Sequence, residues 1–126
     1  MPVTGFNHYN LRAPRPLLDT LRDFYCDVVG LKQGERPAFR GFGYWLYAGA
    51  TDVLHLSECS TDENRATHTA TTFDHAAFTC DDAAEMEARL KQMQIPFQVR
   101  IVEQTATRQI FFKDPAGNGV ELNCPM

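Results

Sequence analysis

The chain has 126 residues, 44% of them hydrophobic and 22% charged, the size and composition of one ordinary globular domain rather than of a disordered or fibrous chain. Its formal net charge of -4, with no basic run anywhere, excludes a surface built for nucleic acid or acidic lipid, because such partners attract clustered Lys and Arg. No stretch approaches the roughly 18 to 20 apolar residues of a membrane span and the start carries no basic-then-apolar leader, so a cytoplasmic protein without a membrane or nucleic-acid partner is expected.

In chain order, Gly5 to Leu11 reads as a strand. After Pro14-Arg15-Pro16, the residues Leu17, Leu18, Leu21, Phe24, Tyr25 and Val28 recur at three- and four-residue steps up to Gly30. That is an amphipathic helix with proline at its start and glycine at its end. A loop through Arg36 and Pro37 leads to strands at Phe42 to Tyr47 and Asp52 to Glu58, and a polar linker follows. The order then recurs. Thr72 to Thr79 alternates like a strand, and Asp82 with Glu85 resembles a capping box opening a helix with Met86, Leu90 and Met93, closed before Pro96. Strands at Phe97 to Glu103, Arg108 to Lys113 and Gly119 to Cys124 complete the second half, the last two joined by the turn Asp114-Pro115-Ala116-Gly117-Asn118. Cys26, Cys59, Cys80 and Cys124 are widely spread with no paired spacing and are expected to be reduced, largely buried small hydrophobes.

The halves agree residue by residue. Phe6-Asn7-His8 answers Phe73-Asp74-His75, and Val53-Leu54-His55-Leu56 answers Gly119-Val120-Glu121-Leu122. His8 and His55 are 47 residues apart, His75 and Glu121 are 46 apart. Strand alternation puts the aliphatic neighbours of His55 and Glu121 on a helix-covered face and the polar residue on the other. Two such modules would gather His8, His55, His75 and Glu121 around one divalent metal ion (Zn, Ni, Fe or Mn), since three imidazoles and a carboxylate suit those ions. Parity along the strands adds Asn10, Trp45, Tyr47, Gln109 and Phe111 as lining for a small-molecule cleft. His68, in the linker without a repeat partner, is left out, and Lys113 and Asp114 are assigned to shaping the turn.

On these residues the chain resembles the vicinal-oxygen-chelate superfamily, which includes glyoxalases, bleomycin-binding proteins and extradiol dioxygenases. The resemblance runs through FNH, LRDFYCDVVGL, FDHAAFTCDD and IFFKDPAGNGVEL, the last with its Asp114-Pro115-x-Gly117 turn just before Glu121. It implies an α+β fold of two βαβββ modules related by pseudo-two-fold symmetry, forming a curved mixed sheet around a metal cleft. The whole chain, 1–126, would be one domain, with module one at about 1–59, a linker at about 60–71 and module two at about 72–126. The resemblance assigns His8, His75 and Glu121 to ligand positions and His55 to the fourth, which is Glu or Gln in the best-known glyoxalases.

It further implies a glyoxalase-type lyase or isomerase with Glu121 as the catalytic carboxylate, and, through Arg12 four residues past His8, a small anionic substrate. The alternatives are an extradiol-type non-heme iron(II) dioxygenase, against which a fourth protein ligand at His55 counts, and a small-molecule-sequestering protein of the antibiotic-resistance kind, against which the intact ligand set counts. A fosfomycin thiol transferase ranks lower because Phe111 stands where that group carries a tyrosine. Relatives pair and open sheet edges need cover, so a homodimer is expected.

Overall fold

The protein is described here from a computed structural model that covers residues 2–126. The chain forms two compact units, one up to Arg65 and the other over Ala66–Met126. Each has the order strand, helix, three strands.

In the first unit β1 (Tyr9–Ala13) leads into α1 (Arg15–Phe24), followed by β2 (Lys32–Gly34), β3 (Gly43–Ala48) and β4 (Thr51–Glu58). The sheet order is β1-β4-β3-β2, with β1 parallel to β4 and the other pairs antiparallel. Pro16 sits in the first turn of α1, where a missing N–H costs nothing. The helix ends in one wider turn, Tyr25–Val29, whose Tyr25 carbonyl accepts the N–H groups of both Gly30 and Leu31. Gly30 takes φ 97°, the left-handed conformation that glycine adopts without strain. Leu18, Leu21, Tyr25 and Val28 are buried with Leu46, Leu54 and Leu56 of the sheet. The predicted helical stripe is therefore the core face.

The second unit repeats this plan with β5 (His75–Thr79), α2 (Ala83–Gln92), β6 (Gln98–Val102), β7 (Thr107–Lys113) and β8 (Gly119–Pro125), in the order β5-β8-β7-β6. Asp82 caps α2, its side chain accepting the Glu85 N–H at 3.1 Å. Replacing Asp82 by Ala should lower stability by about 1 kcal/mol, which denaturant unfolding would detect; no change would mean that solvent caps this end equally well. Met86 and Leu90 are buried under the helix, whereas Met93, expected on the same stripe, falls at its C-terminal cap and is exposed. The second unit buries Leu90, Ile110, Phe112, Val120 and Leu122.

The two registers coincide. Asn10 faces His55 across β1 and β4, and its repeat counterpart Ala77 faces Glu121 across β5 and β8. Trp45 faces His55 across β3 and β4, and Phe111 faces Glu121 across β7 and β8.

Three expectations need correction. The first strand of each unit starts later than alternation suggests, at Tyr9 and at His75, because the ladder begins only there, and Phe6 and Phe73 lie outside it, exposed. The short β2 lies within what reads as a loop. The cysteines are not all reduced: Cys80 and Cys124 form a disulfide across β5 and β8, Cα–Cα 4.9 Å, while Cys26 and Cys59 are free. Their 44-residue separation hides a pairing that the parallel register creates by setting Thr79 opposite Asn123, one residue before each cysteine. No helix among the described residues is long and apolar enough to cross a membrane.

Candidate metal and substrate site

In the first unit, the alternation of β4 buries Leu54 and Leu56 and turns His55 to the opposite face. There its ring lies between two others. Trp45 stacks on it at 4.0 Å between centroids with an interplanar angle of 7°, and His8 stacks at 3.6 Å and 19°. Asp52 Oδ2 lies 2.6 Å from His55 Nε2, and this hydrogen bond holds the Asp52 carboxyl below its ordinary range. Asn7 Oδ1 lies 2.7 Å from His8 Nδ1. A cavity of about 360 Å³ opens over this face, lined by His8, His55, Asn10, Trp45, Arg36 and Phe39 among others.

The second unit carries the matching pair. Glu121 is only 5% exposed although both neighbours in β8, Val120 and Leu122, are buried as well. Its carboxylate is not orphaned: His75 Nε2 is 3.1 Å from Oε1, and Asn123 Nδ2 donates to Oε2 at 3.0 Å. Asp74 Oδ2 lies 2.8 Å from His75 Nδ1, and the contact holds the Asp74 carboxyl below its ordinary range. Phe111 meets the His75 ring edge-on at 5.8 Å. Both residues line a cavity of about 380 Å³ with Phe97, Gln98 and Lys113.

Gly119 makes room for these contacts, and Gly117 shapes the turn before it. A Cβ on Gly119 would collide with the Asp74 carbonyl and meet the His75 Cβ at 3.0 Å, so only glycine lets β5 start this close to β8. The turn before it is held by buried Asp114, whose Oδ1 accepts the N–H groups of Ala116 and Asn118, each at 2.9 Å, with Gly117 at φ 89°.

Among the described residues no group of three or more histidine, cysteine, aspartate and glutamate side chains is arranged to hold a metal ion. What each unit presents is a pair of donors of the right chemistry. In all three imidazoles one ring nitrogen faces a side-chain oxygen, Asn7, Asp52 or Asp74, which fixes the ring and leaves its other nitrogen for a Lewis acid or an acid partner. Each pair, imidazole with imidazole or imidazole with carboxylate, thus has the donor chemistry that divalent cations prefer. Asn7, Asp52 and Asp74 were not singled out as site residues from sequence, although Asn7 and Asp74 stand in the same repeat position just before His8 and His75.

The remaining expected lining divides. Asn10 and Trp45 line the first cavity and Phe111 the second. Tyr47 does not line the first cavity; its hydroxyl donates to the Glu35 carbonyl at 2.6 Å. Gln109 is not part of the second cavity's lining. Arg12 gives Glu63 two hydrogen bonds, at 2.9 and 3.1 Å. With Arg65 alongside, that contact pulls the Glu63 carboxyl down to about 2.

Two repeated βαβββ units are the architecture of glyoxalase-like proteins. The chain matches the Glyoxalase/Bleomycin resistance protein/Dioxygenase superfamily over residues 5–122 and belongs to it. Among its relatives, Glyoxylase I 4 of Arabidopsis thaliana is 29% identical over 128 residues, covering 97% of this chain and 72% of that protein. The lactoylglutathione lyase of Agrobacterium tumefaciens superimposes with a TM-score of 0.68 at 25% identity, over 98% of this chain and 96% of that one. A fosfomycin resistance protein of Listeria monocytogenes, solved with Mn(II), shares the fold with a TM-score of 0.69 at 16% identity, over 98% of this chain and 94% of that one.

Proposed function

We propose that the protein is a metal-dependent lyase or isomerase of the glyoxalase type, with His8, His55, His75 and Glu121 as the ligands of one divalent cation. The observation that carries this reading is the coincidence of register in the two units, which sets His55 and Glu121 at equivalent positions, each with an aromatic residue, Trp45 or Phe111, directly across the antiparallel pair. A bound cation supplies Lewis-acid polarisation of a substrate's vicinal oxygens. Glu121 is the group that moves the proton, because a buried carboxylate with one imidazole and one amide partner is held in a fixed position. Asp52 and Asp74 orient the imidazoles of His55 and His75 through their ring hydrogen bonds. The names of the Arabidopsis and Agrobacterium relatives support the reaction class.

Titration of chelator-treated protein with Zn, Ni, Mn and ferrous iron tests the reading. One cation should bind per chain, and His8→Ala, His55→Ala or His75→Ala should each weaken it by more than the roughly 10–100-fold typical of losing a supporting residue around a metal. Absence of stoichiometric binding for all four cations would sink the proposal. The iron(II) dioxygenase alternative separates from it by requiring oxygen uptake with turnover.

A further inference from the structure

The family resemblance implies anion recognition by Arg12, yet the charge pattern of the structure points elsewhere. Six of the nine arginines have a carboxylate partner: Arg12 and Arg65 share Glu63, Arg15 holds Glu58, Arg22 holds Asp23, Arg89 holds Glu85 and Arg108 holds Glu87. An arginine already matched by a carboxylate offers little to an incoming anion. Arg36 differs from these six, for among the described residues it has no carboxylate partner. Its guanidinium gives one N–H to the Gly41 carbonyl at 3.1 Å and lies over the Phe39 ring at 4.9 Å from its centroid. Of the five N–H donors on a guanidinium, most therefore remain open.

Arg36 lines the same 360 Å³ cavity as His8 and His55. The lining pairs a polar side (Asn7, Asn10, Ser57) with an aromatic wall of Phe39 and Trp45. Trp45 stacks parallel to His55, and Phe39 stands 6.0 Å from Trp45 at 44°, its ring 52% exposed and accessible to a ligand. Gly43 is required by the Leu56 carbonyl, with which a Cβ would collide, and the same Cβ would also lie 3.1 Å from Arg36 Nη2. The carboxylate that also lines the cavity, Asp52, is turned to His55 rather than to Arg36. The volume is at the small end of ligand pockets, which run from roughly 300 to 1,000 Å³.

We propose that this cavity takes a one-ring aromatic carboxylate, with Arg36 gripping the carboxylate and the ring packing against the aromatic wall that Phe39 and Trp45 form together. The inference deepens the reading above by naming a substrate class for that site, and rests on it only in taking the cavity for the substrate pocket. Bidentate carboxylate recognition is what a planar guanidinium does and an ammonium does not. Arg36→Lys should therefore recover only part of the affinity that Arg36→Gln loses.

Trp45 is the chain's single tryptophan, so its emission reports on this cavity without a label. The probe is phenylglyoxylate, and its methyl ester is the neutral control with the same ring and carbonyls. In chelator-treated protein the acid should quench Trp45 saturably, with affinity falling at least tenfold in Arg36→Gln, partly restored in Arg36→Lys, and unchanged in Arg40→Gln, a charge in the same loop outside the cavity. The ester should bind weakly and equally to wild type and Arg36→Gln. Equal binding of acid and ester, no saturable quenching, or a loss in Arg12→Gln in place of Arg36→Gln would overturn the assignment. Thermal midpoints show that each variant is folded, and the titrations are repeated with Zn(II). Arg36-dependent binding in a protein that holds no cation would leave this inference standing and remove the metal reading; cation binding without Arg36 dependence would do the reverse.

Discussion

Replacing Glu121 by Gln is expected to lower the turnover of the metal-loaded protein by a factor of about 10² to 10⁴, the range supplied by a positioned proton-transfer group. The substitution keeps the size of the side chain and one carbonyl oxygen for the Asn123 amide, so the bond at 3.0 Å can persist. What disappears is the second carboxylate oxygen, now 3.1 Å from His75 Nε2, and with it any capacity to accept a proton near neutral pH. Because the residue is 5% exposed, water cannot take over the role from the same position. The measurement is kcat on thiol adducts of 2-oxoaldehydes, alongside the thermal midpoint and metal content of the variant. A folded, metal-loaded Glu121→Gln protein with wild-type kcat would remove Glu121 from the chemistry, whatever else remained of the proposal. Unequal effects on kcat and KM would be equally informative: a loss confined to KM would mark Glu121 as a binding group only.

Much of this was legible because repetition supplies an internal control that a single unrepeated motif lacks. His55 alone, between Leu54 and Leu56, reads equally well as a half-buried strand histidine. Its alignment with Glu121, between Val120 and Leu122, is what identifies the face, and the observed burial of those four aliphatics follows the alternation. The helices were legible for a related reason, since Leu18, Leu21, Tyr25 and Val28 mark one stripe whatever the chain does afterwards. Less legible were features fixed by pairing between distant segments. Phe6 and Phe73 alternate like strand residues, but the ladder partners they would need begin opposite Tyr9 and His75. The β2 strand Lys32–Gly34 is short, polar and exposed, and is defined only by its antiparallel contact with Trp45 to Tyr47. Arg12 and Arg36 show the same limit in electrostatics. Sequence position favoured the first, and only the Glu63 contact reveals that its charge is already matched.

Reduction of the Cys80–Cys124 disulfide is expected to lower stability by about 4 kcal/mol at 25 °C, the chain-entropy value for a closed loop of 44 residues. That corresponds to a fall in thermal midpoint of roughly 15 °C if the whole chain unfolds together, and of roughly 30 °C if the second unit melts alone. The bond lies at the end of the β5–β8 ladder, where the Cys80 N–H also donates to the Asn123 carbonyl at 3.0 Å. It therefore closes a loop containing α2, β6 and β7, the whole interior of the second unit. The first unit has no counterpart, since the repeat positions of the two cysteines are Ala13 and Glu58, which face each other across β1 and β4 without a link. The loss should accordingly be confined to the second unit, so that hydrogen exchange accelerates in β5 to β8 and little in β1 to β4. A Cys80→Ala, Cys124→Ala double variant should show the lowered midpoint without reductant and no further fall when reductant is added. Wild-type protein whose midpoint ignores reductant, and in which four free thiols titrate before unfolding, would contradict the disulfide itself. A reductant effect shared equally by both units would instead show that the two are energetically coupled, so that the entropy lost from one loop is felt across the chain. His75 and Glu121 sit on the two strands that this bond joins, so the reduced protein also provides a test of the site. If strand pairing alone holds the 3.1 Å contact, metal affinity should survive reduction at temperatures well below the new midpoint.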